Sequence, residues 1–273
     1  MTWTWTDGVI RMQDAVLPNK MSIFEINSYE TKFLYDEIFV QRSYMQHDIE
    51  IGRGDTIIDA GANIGMFALY LLTEFDPSRI FCFEPAPNCL DALRANLARW
   101  TDQVIISDSA LGDSTGEAEF TYYPGYSIMS GLFANKDRDL DTLKSGARTQ
   151  AAQKNKAIVE ERFINAIVGK KLENSVSFKC PITTISDVID KHDIQTVNLL
   201  KIDVERAENA IIRGINDKHW GRIKQIVVEV HDQGAREHEV MRDTLAEKGY
   251  HTVLSIESGL DNSAIYGLTA RRN

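Results

Sequence analysis

Ile57-Ile58-Asp59-Ala60-Gly61-Ala62-Asn63-Ile64-Gly65 is an apolar strand that ends in an acid and runs through two glycines into an apolar helix. Gly61 lets the backbone turn sharply at the strand's carboxyl edge. Gly65 lets the following helix pack close to the strand or leaves room for a ligand. Asn63 stands where a dinucleotide-binding loop carries glycine, so the Gly-x-Gly-x-x-Gly reader of a pyrophosphate is missing. The stretch therefore predicts an α/β fold with a nucleoside cofactor that lacks a pyrophosphate, a condition S-adenosylmethionine meets.

Working outward, Ile80-Phe81-Cys82-Phe83-Glu84-Pro85 is a second apolar strand ending in a carboxylate. An acid about 20 residues past the glycine loop, at the end of the second strand, is placed to accept hydrogen bonds from both ribose hydroxyls. The alternation of strand and helix continues: a helix over 64–72, the strand 80–84, a helix over 88–99 and a strand over 104–107 predict a parallel sheet. Leu90, Leu93 and Leu97 form one helical stripe, and Pro87 suits a first helical turn, where its missing N–H has no partner to lose.

A hairpin-like passage over 117–123 follows, and the sheet pattern then stops until about 174. Within 124–174, Val159, Phe163, Ala166 and Ile167 fall at helical spacing and predict a helix packed over something apolar. Basic residues outnumber acidic ones over 136–171, which suits a solvated helix face or an anionic partner. The sheet is expected to resume at 177–180, with a helix opened by Thr184-Ile185-Ser186-Asp187 and a buried strand over 197–204. A strand over 223–230, a helix over 236–248, and strands over 251–256 and 264–269 complete the pattern. The last pair should be antiparallel, because the connection carrying Gly259, Asp261 and Asn262 is too short for a parallel crossover.

At 273 residues and 43% apolar composition the chain can bury a full core. Its three cysteines, Cys82, Cys89 and Cys180, lack C-x-x-C spacing, which argues for reduced thiols and against a zinc site. No apolar run approaches the length of a membrane span and no leader-like segment opens the chain, so a soluble, cytoplasmic protein without membrane partners is expected. A net charge of −10 disfavours a broad nucleic-acid surface.

Ligands of open α/β sheets sit outside the carboxyl ends of the strands. Four polar groups fall there: Asp59 with Gly61; Glu84; Lys201-Ile202-Asp203-Val204-Glu205; and Glu229-Val230-His231-Asp232. Residues two apart share a strand face, which aligns Asp203 with Glu205 and Glu229 with His231 if the strands stay extended that far. Such a cluster suits removal of a proton from a hydroxyl during methyl transfer. His231 is the candidate general base, and a neighbouring carboxylate would raise its basicity and fix its tautomer. The same acids allow a second use, a divalent-metal site built from Asp203, Glu229 and Asp232. Spacing does not separate the two.

Taken in order, Asp59-Ala60-Gly61-Ala62-Asn63-Ile64-Gly65, Phe83-Glu84-Pro85, Ala110-Leu111-Gly112, Lys201-Ile202-Asp203-Val204-Glu205 with Ala207-Glu208, and Val228-Glu229-Val230-His231 resemble an FkbM-type methyltransferase. The resemblance runs from about residue 25 to the C-terminus. It includes Glu30-Thr31-Lys32-Phe33-Leu34-Tyr35 and Asp36-Glu37-Ile38-Phe39, which are similar to an N-terminal cap in members attached to polyketide and peptide assembly lines. It implies the class I methyltransferase fold: a Rossmann-like, doubly wound sheet with an antiparallel terminal strand, an N-terminal cap and a helical lid insertion. On this reading residues 1–50 are an extension and cap, and 51–273 are the S-adenosyl-L-methionine-dependent domain, with 124–174 as the lid.

The resemblance also implies roles. Asp59, Gly61, Asn63 and Gly65 would line the methionine side of the cofactor, Glu84 would hold the ribose, Ser109 and Ala110 would border the adenine, and Asp203 would face the reactive centre. The catalytic set is then His231, Asp203 and Glu229, with no metal. The family usually has glycine where this chain has Arg206, and the insertion is long. The expected activity is O-methylation of a hydroxyl on a natural-product intermediate, free or held by an acyl or peptidyl carrier protein. An N- or sugar methyltransferase, and a non-catalytic methyltransferase-like binding module, remain alternatives. A nucleic-acid methyltransferase fits less well, since an Asn-Pro-Pro-Tyr-like base-flipping motif is missing.

Overall fold

In the first half of the chain the sheet and helices alternate as their apolar patterns dictate: β3 (Thr56–Ala60), α2 (Met66–Glu74), β4 (Arg79–Phe83), α3 (Pro87–Leu97) and β5 (Val104–Ser107). The computed structural model describes residues 12–140, 143, 144, 172, 174–232, 234–256 and 265–272. Before this run come the hairpin β1 (Gln13–Val16) and β2 (Ser22–Glu25), helix α1 (Ser28–Tyr35), a π-helical turn (Asp36–Gln41) and a 3-10 turn (Ser43–Met45). After it come β6 (Ala110–Leu111), β7 (Gly116–Tyr122), β8 (Val176–Thr183), α4 (Ile185–Lys191), β9 (Leu199–Ile202), α5 (Glu208–Arg213), α6 (Asp217–Trp220), β10 (Gln225–His231), α7 (Glu237–Glu247), β11 (His251–Ile256) and β12 (Ile265–Arg271).

The central sheet has seven strands in the order β11-β12-β10-β9-β3-β4-β5. From β5 to β10 all neighbours are parallel, and β12 runs antiparallel to both β10 and β11. This is the doubly wound class I methyltransferase arrangement with its antiparallel terminal strand. The winding direction reverses between β3 and β9, and the crevice at such a switch point is where open α/β sheets bind ligands.

Both faces of the sheet are buried, as the unbroken apolar runs require. Ile57, Leu199 and Val227 join α2, α3 and the N-terminal residues Ile23, Leu34, Ile38 and Tyr44 in one apolar cluster. Ile58, Leu200, Ile202 and Val228 join α4, α5 and α7 in the other. The odd-numbered residues of β3, β9 and β10 therefore face the N-terminal cap. Asp59, Lys201, Glu229 and His231 belong to that set.

Three expectations need correction. The strand expected at 177–180 does not rejoin the central sheet: β8 forms a separate three-stranded sheet, β6-β8-β7, pairing antiparallel with β7 from Gly116↔Ile182 to Tyr122↔Val176. Its alternating exposure is that of a one-sided sheet. The strand expected over 197–204 is shorter, Leu199–Ile202, because Glu205 and Arg206 take left-handed backbone angles, φ 47° and 73°. The helix after the glycine loop begins at Met66, with Gly65 at φ 88° before it. The apolar positions proposed at Val159, Phe163, Ala166 and Ile167, and the turn residues Gly259, Asp261 and Asn262, lie outside the described residues.

Candidate active site at the carboxyl ends of the central strands

The parallel register sets Asp59 of β3 opposite Lys201 of β9. Lys201 Nζ lies 3.1 Å from Asp59 Oδ1 and 3.6 Å from Asp203 Oδ2, and it donates to the Gly61 carbonyl at 2.9 Å. The carboxylate of Asp59 is fully enclosed. Burial pushes its pKa up and Lys201 only partly offsets this. Burial by itself would lower the Lys201 pKa, but Asp59 and Asp203 outweigh it and hold the ammonium charged. Asp59 therefore acts beneath the loop: it fixes Lys201, which fixes Gly61.

The two glycines are explained by packing. A Cβ on Gly61 would lie 1.9 Å from the Asp203 carbonyl oxygen, so only glycine lets the loop after β3 touch the loop after β9. A Cβ on Gly65 would lie 2.8 Å from Leu93 Cδ1, so Gly65 seats α2 against α3 in a backbone conformation that side chains disfavour. The sequence reading had Gly65 bringing the helix close to the strand or leaving room for a ligand; the close contact it makes is with Leu93 and Leu97 of α3.

Glu84, at the end of β4, accepts the Asn63 N–H on Oε2 (2.9 Å) and the Ala86 N–H on Oε1 (2.8 Å). Burial raises its pKa to about 7 against the pull of these two amides. Asn63 takes φ 48°, and its side-chain amide donates to Ser127 Oγ at 3.3 Å. Ser127 N–H donates to both carboxylate oxygens of Glu30 in α1 at 3.1 Å. The loop is thus tied to the cap and to the start of the insertion. Ser109 Oγ pairs with Ser107 Oγ at 2.7 Å, and Ser109 and Ala110 are buried beyond β5, on the far side of Glu84 from Asp203.

A second cluster forms where β9 and β10 end. His231 Nδ1 is 2.6 Å from Glu208 Oε1, and its Nε2 lies 3.3 Å from both Glu205 Oε2 and Glu229 Oε1. A carboxylate only accepts, so Nδ1 carries a proton toward Glu208, and Nε2 faces Glu205 and Glu229. Burial by itself would lower the His231 pKa; Glu205, Glu208 and Glu229 outweigh it and raise the pKa well above the ordinary range. Burial lifts Glu205 to about 8, although His231 pulls the other way, and lifts Glu229 with help from the Asp203 charge. The cluster holds a proton through neutral pH.

The catalytic candidates Asp203, Glu229 and His231 come together on the cap-side face. Asp232 does not join them: it pairs with His238 and accepts the Gly234 N–H at 2.8 Å. Among the described residues no three His, Cys, Asp or Glu side chains are arranged to hold a metal ion. The sequence reading gave no role to Lys201, Glu208 or Tyr44. Lys201 was accessible to it, since it shares a strand face with Asp203. Glu208 reaches His231 only because the chain turns at Glu205 and Arg206. Tyr44, whose hydroxyl donates to Asp203 Oδ2 at 2.7 Å, had no local signal.

Residues 59–252 match the Methyltransferase FkbM domain family. Over 268 residues the chain is 34% identical to the 31-O-demethyl-FK506 methyltransferase FkbM of Streptomyces tacrolimicus, covering 96% of this chain and 99% of that protein. The chain belongs to the FkbM methyltransferase family. The AMB antimetabolite synthetase AmbE of Pseudomonas aeruginosa is 30% identical over 262 residues, which are 94% of this chain and 12% of that protein. The crystal structure of a methyltransferase FkbM from Methylobacillus flagellatus KT aligns with a TM-score of 0.49 at 13% identity, covering 89% of this chain and 55% of that one.

In this FkbM-family chain, the departure at Arg206 has a structural counterpart. The residue occupies a left-handed position, φ 73°, a conformation that favours glycine. Its buried guanidinium meets Asp139 at 2.5 Å as an ion pair. Asp139 also accepts from Tyr123 Oη (2.8 Å) and the Asn135 N–H (3.0 Å). Arg206 thereby ties the loop after β9 to residues 123–139.

Proposed function

We propose that the chain is an S-adenosyl-L-methionine-dependent O-methyltransferase acting on a hydroxyl of a polyketide or peptide natural-product intermediate, free or held by an acyl or peptidyl carrier protein. The observation that carries this reading is the buried His231, oriented through Nδ1 by Glu208 and flanked at Nε2 by Glu205 and Glu229. The relative from Streptomyces tacrolimicus bears a name that specifies a 31-O position, and the one from Pseudomonas aeruginosa is called a synthetase. The first name agrees with a hydroxyl acceptor and the second with a place in a synthetase, and a cytoplasmic location goes with this reading.

The residues present fit the cofactor. Each oxygen of Glu84 spends one acceptor direction on a backbone N–H and keeps another for a ribose hydroxyl. The Asp203 side chain is 25% exposed. Its Oδ2 is held by Tyr44, and no described residue hydrogen-bonds Oδ1, which leaves that oxygen to meet positive charge. S-adenosylmethionine, when bound, supplies a methyl group already activated on a sulfonium.

The protein's own task is then to orient and deprotonate. His231 Nε2 takes the proton of the acceptor hydroxyl, Glu208 keeps the ring in the required tautomer, and Glu205 and Glu229 stabilise the imidazolium that results. Because these carboxylates favour the charged ring, the neutral base gains population only as pH rises above the ordinary histidine range. The cap over 25–48 and residues 124–140 wall the acceptor side through the Glu30–Ser127 and Arg206–Asp139 contacts.

The test is mass spectrometry of products formed from labelled S-adenosylmethionine with a panel of hydroxyl, amine and sugar acceptors, free and carrier-bound. Labelled O-methyl products support the reading. Products methylated only on nitrogen or on a sugar would replace it, and cofactor binding without transfer to any acceptor would favour the non-catalytic module.

A further inference from the structure

Tyr44 comes from the 3-10 turn of the N-terminal cap, far in sequence from the strands whose ends carry the chemistry. Its side chain is buried, and its ring packs edge-on against Phe67 at 5.2 Å and 70°. Phenylalanine would serve that packing equally well. The hydroxyl is what needs an explanation, since a buried phenol is costly unless it has a partner. It donates to Asp203 Oδ2 at 2.7 Å, with Glu37 Oε1 at the longer distance of 3.4 Å. Burial first, and the carboxylates of Asp203 and Glu37 next, push the Tyr44 pKa well above its ordinary value, so the proton stays available to donate.

Lys201 approaches the same carboxylate oxygen. Its Nζ is 3.6 Å from Asp203 Oδ2 and 5.1 Å from the centre of the Tyr44 ring. Both contacts engage Oδ2, so the carboxylate is clamped by one oxygen and presents the other. Asp203 follows the end of β9, where its N–H still donates to the Ala60 carbonyl at 3.1 Å, just before the chain enters the left-handed turn at Glu205 and Arg206. The sheet holds the backbone of Asp203, and the clamp holds its carboxylate.

We propose that Tyr44 is a positioning residue of the site: its hydroxyl, with Lys201, holds Asp203 so that Oδ1 faces the sulfonium charge of the cofactor. The N-terminal cap is then part of the cofactor-binding machinery as well as its cover. This inference rests on the cofactor reading above and extends it to a residue outside the sequence motifs.

The test is titration calorimetry of the full chain with S-adenosylmethionine, which carries the sulfonium charge, and with S-adenosylhomocysteine, which does not. Tyr44→Phe should weaken S-adenosylmethionine binding about 5- to 10-fold, less than the loss of a direct hydrogen bond to a charged group because Tyr44 acts through Asp203, and leave S-adenosylhomocysteine within about 2-fold. The ratio of the two constants is insensitive to partial unfolding, because a reduced competent fraction scales both alike. In an Asp203→Asn background, Tyr44→Phe should move the ratio no further. A parallel weakening of both ligands, or an unchanged ratio, would reduce Tyr44 to a packing role and overturn the proposal. If wild type binds neither ligand, the cofactor reading fails first, and the Tyr44 proposal falls with it.

Discussion

Two charged clusters sit side by side on the cap face of the sheet, and they are built on opposite principles. Around Lys201, the charges of Asp59 and Asp203 hold a cation ionised against the opposing effect of burial. Around His231, the acids Glu205, Glu208 and Glu229 outnumber a group that can lose its proton. The first is suited to fixed geometry, locking the loop after β3 to the loop after β9. The second is suited to proton transfer. A carboxylate's role at these strand ends thus depends on whether its partner titrates, a division that substitutions in either cluster can break.

The largest effect should come from the titrating cluster. His231→Ala should lower methyl transfer by about 10² to 10⁴, the range for loss of a general base, while cofactor affinity stays nearly intact. In wild type the rate should rise with pH above the ordinary histidine range, because the three carboxylates hold the imidazolium. The variant should lose that limb in a pH–rate profile. Full activity in His231→Ala would transfer the role of base to Glu205 or Glu229.

Next in size is the Arg206–Asp139 pair, which fastens residues 123–139 to the loop that carries Glu205. Both side chains are almost fully buried. Removing one partner leaves an uncompensated buried charge, so Asp139→Ala should cost about 3 to 5 kcal/mol in denaturant unfolding. Arg206→Gly should cost less, since glycine relieves the left-handed backbone at the same time. Equal losses in the two variants would contradict the left-handed account of position 206.

Glu84→Ala should weaken S-adenosylmethionine binding by about 1.5 to 3 kcal/mol, the loss of a charged acceptor for the ribose. The smallest effect concerns the same side chain's proton. Burial lifts the Glu84 pKa to about 7 in the folded chain, against an ordinary value of 4.5. A raised carboxyl favours the fold while protonated, and that contribution is lost as pH rises from the unfolded value through the folded one. Glu84→Gln should therefore gain stability relative to wild type by at least about 1 kcal/mol between pH 4.5 and 7, and then level off. Thermal melts of the two proteins across that range would show it. A constant difference would mean that Glu84 is ionised throughout.

Much of the cofactor side was legible in the sequence because it is written locally. The strand–glycine–helix pattern around Gly61 and the acid at Glu84 are short-range features, and the two-residue period placed Glu229 and His231 on one face of β10. The strand over 177–180 was legible as a strand, but its sheet was not, since pairing with β7 is a contact across the insertion. Asp59 read as a ligand-facing residue but is enclosed with Lys201, because the cross-strand register that joins them is set by the whole sheet. Glu208 and Tyr44 reach the site through the turn at 205–206 and through the cap. No periodicity marks either path.

Glu84 and the amides it accepts from form a binding cluster, the His231 group forms a proton-transfer cluster, and one paired measurement tests this division most directly. S-adenosylmethionine affinity by calorimetry and single-turnover methyl transfer at saturating cofactor are recorded for wild type, Glu84→Ala and His231→Ala. The account predicts that Glu84→Ala loses affinity yet transfers the methyl group near the wild-type rate once saturated, whereas His231→Ala binds like wild type and transfers about 10² to 10⁴ more slowly. If both variants lose affinity and transfer together, the clusters work as one unit and the division is wrong.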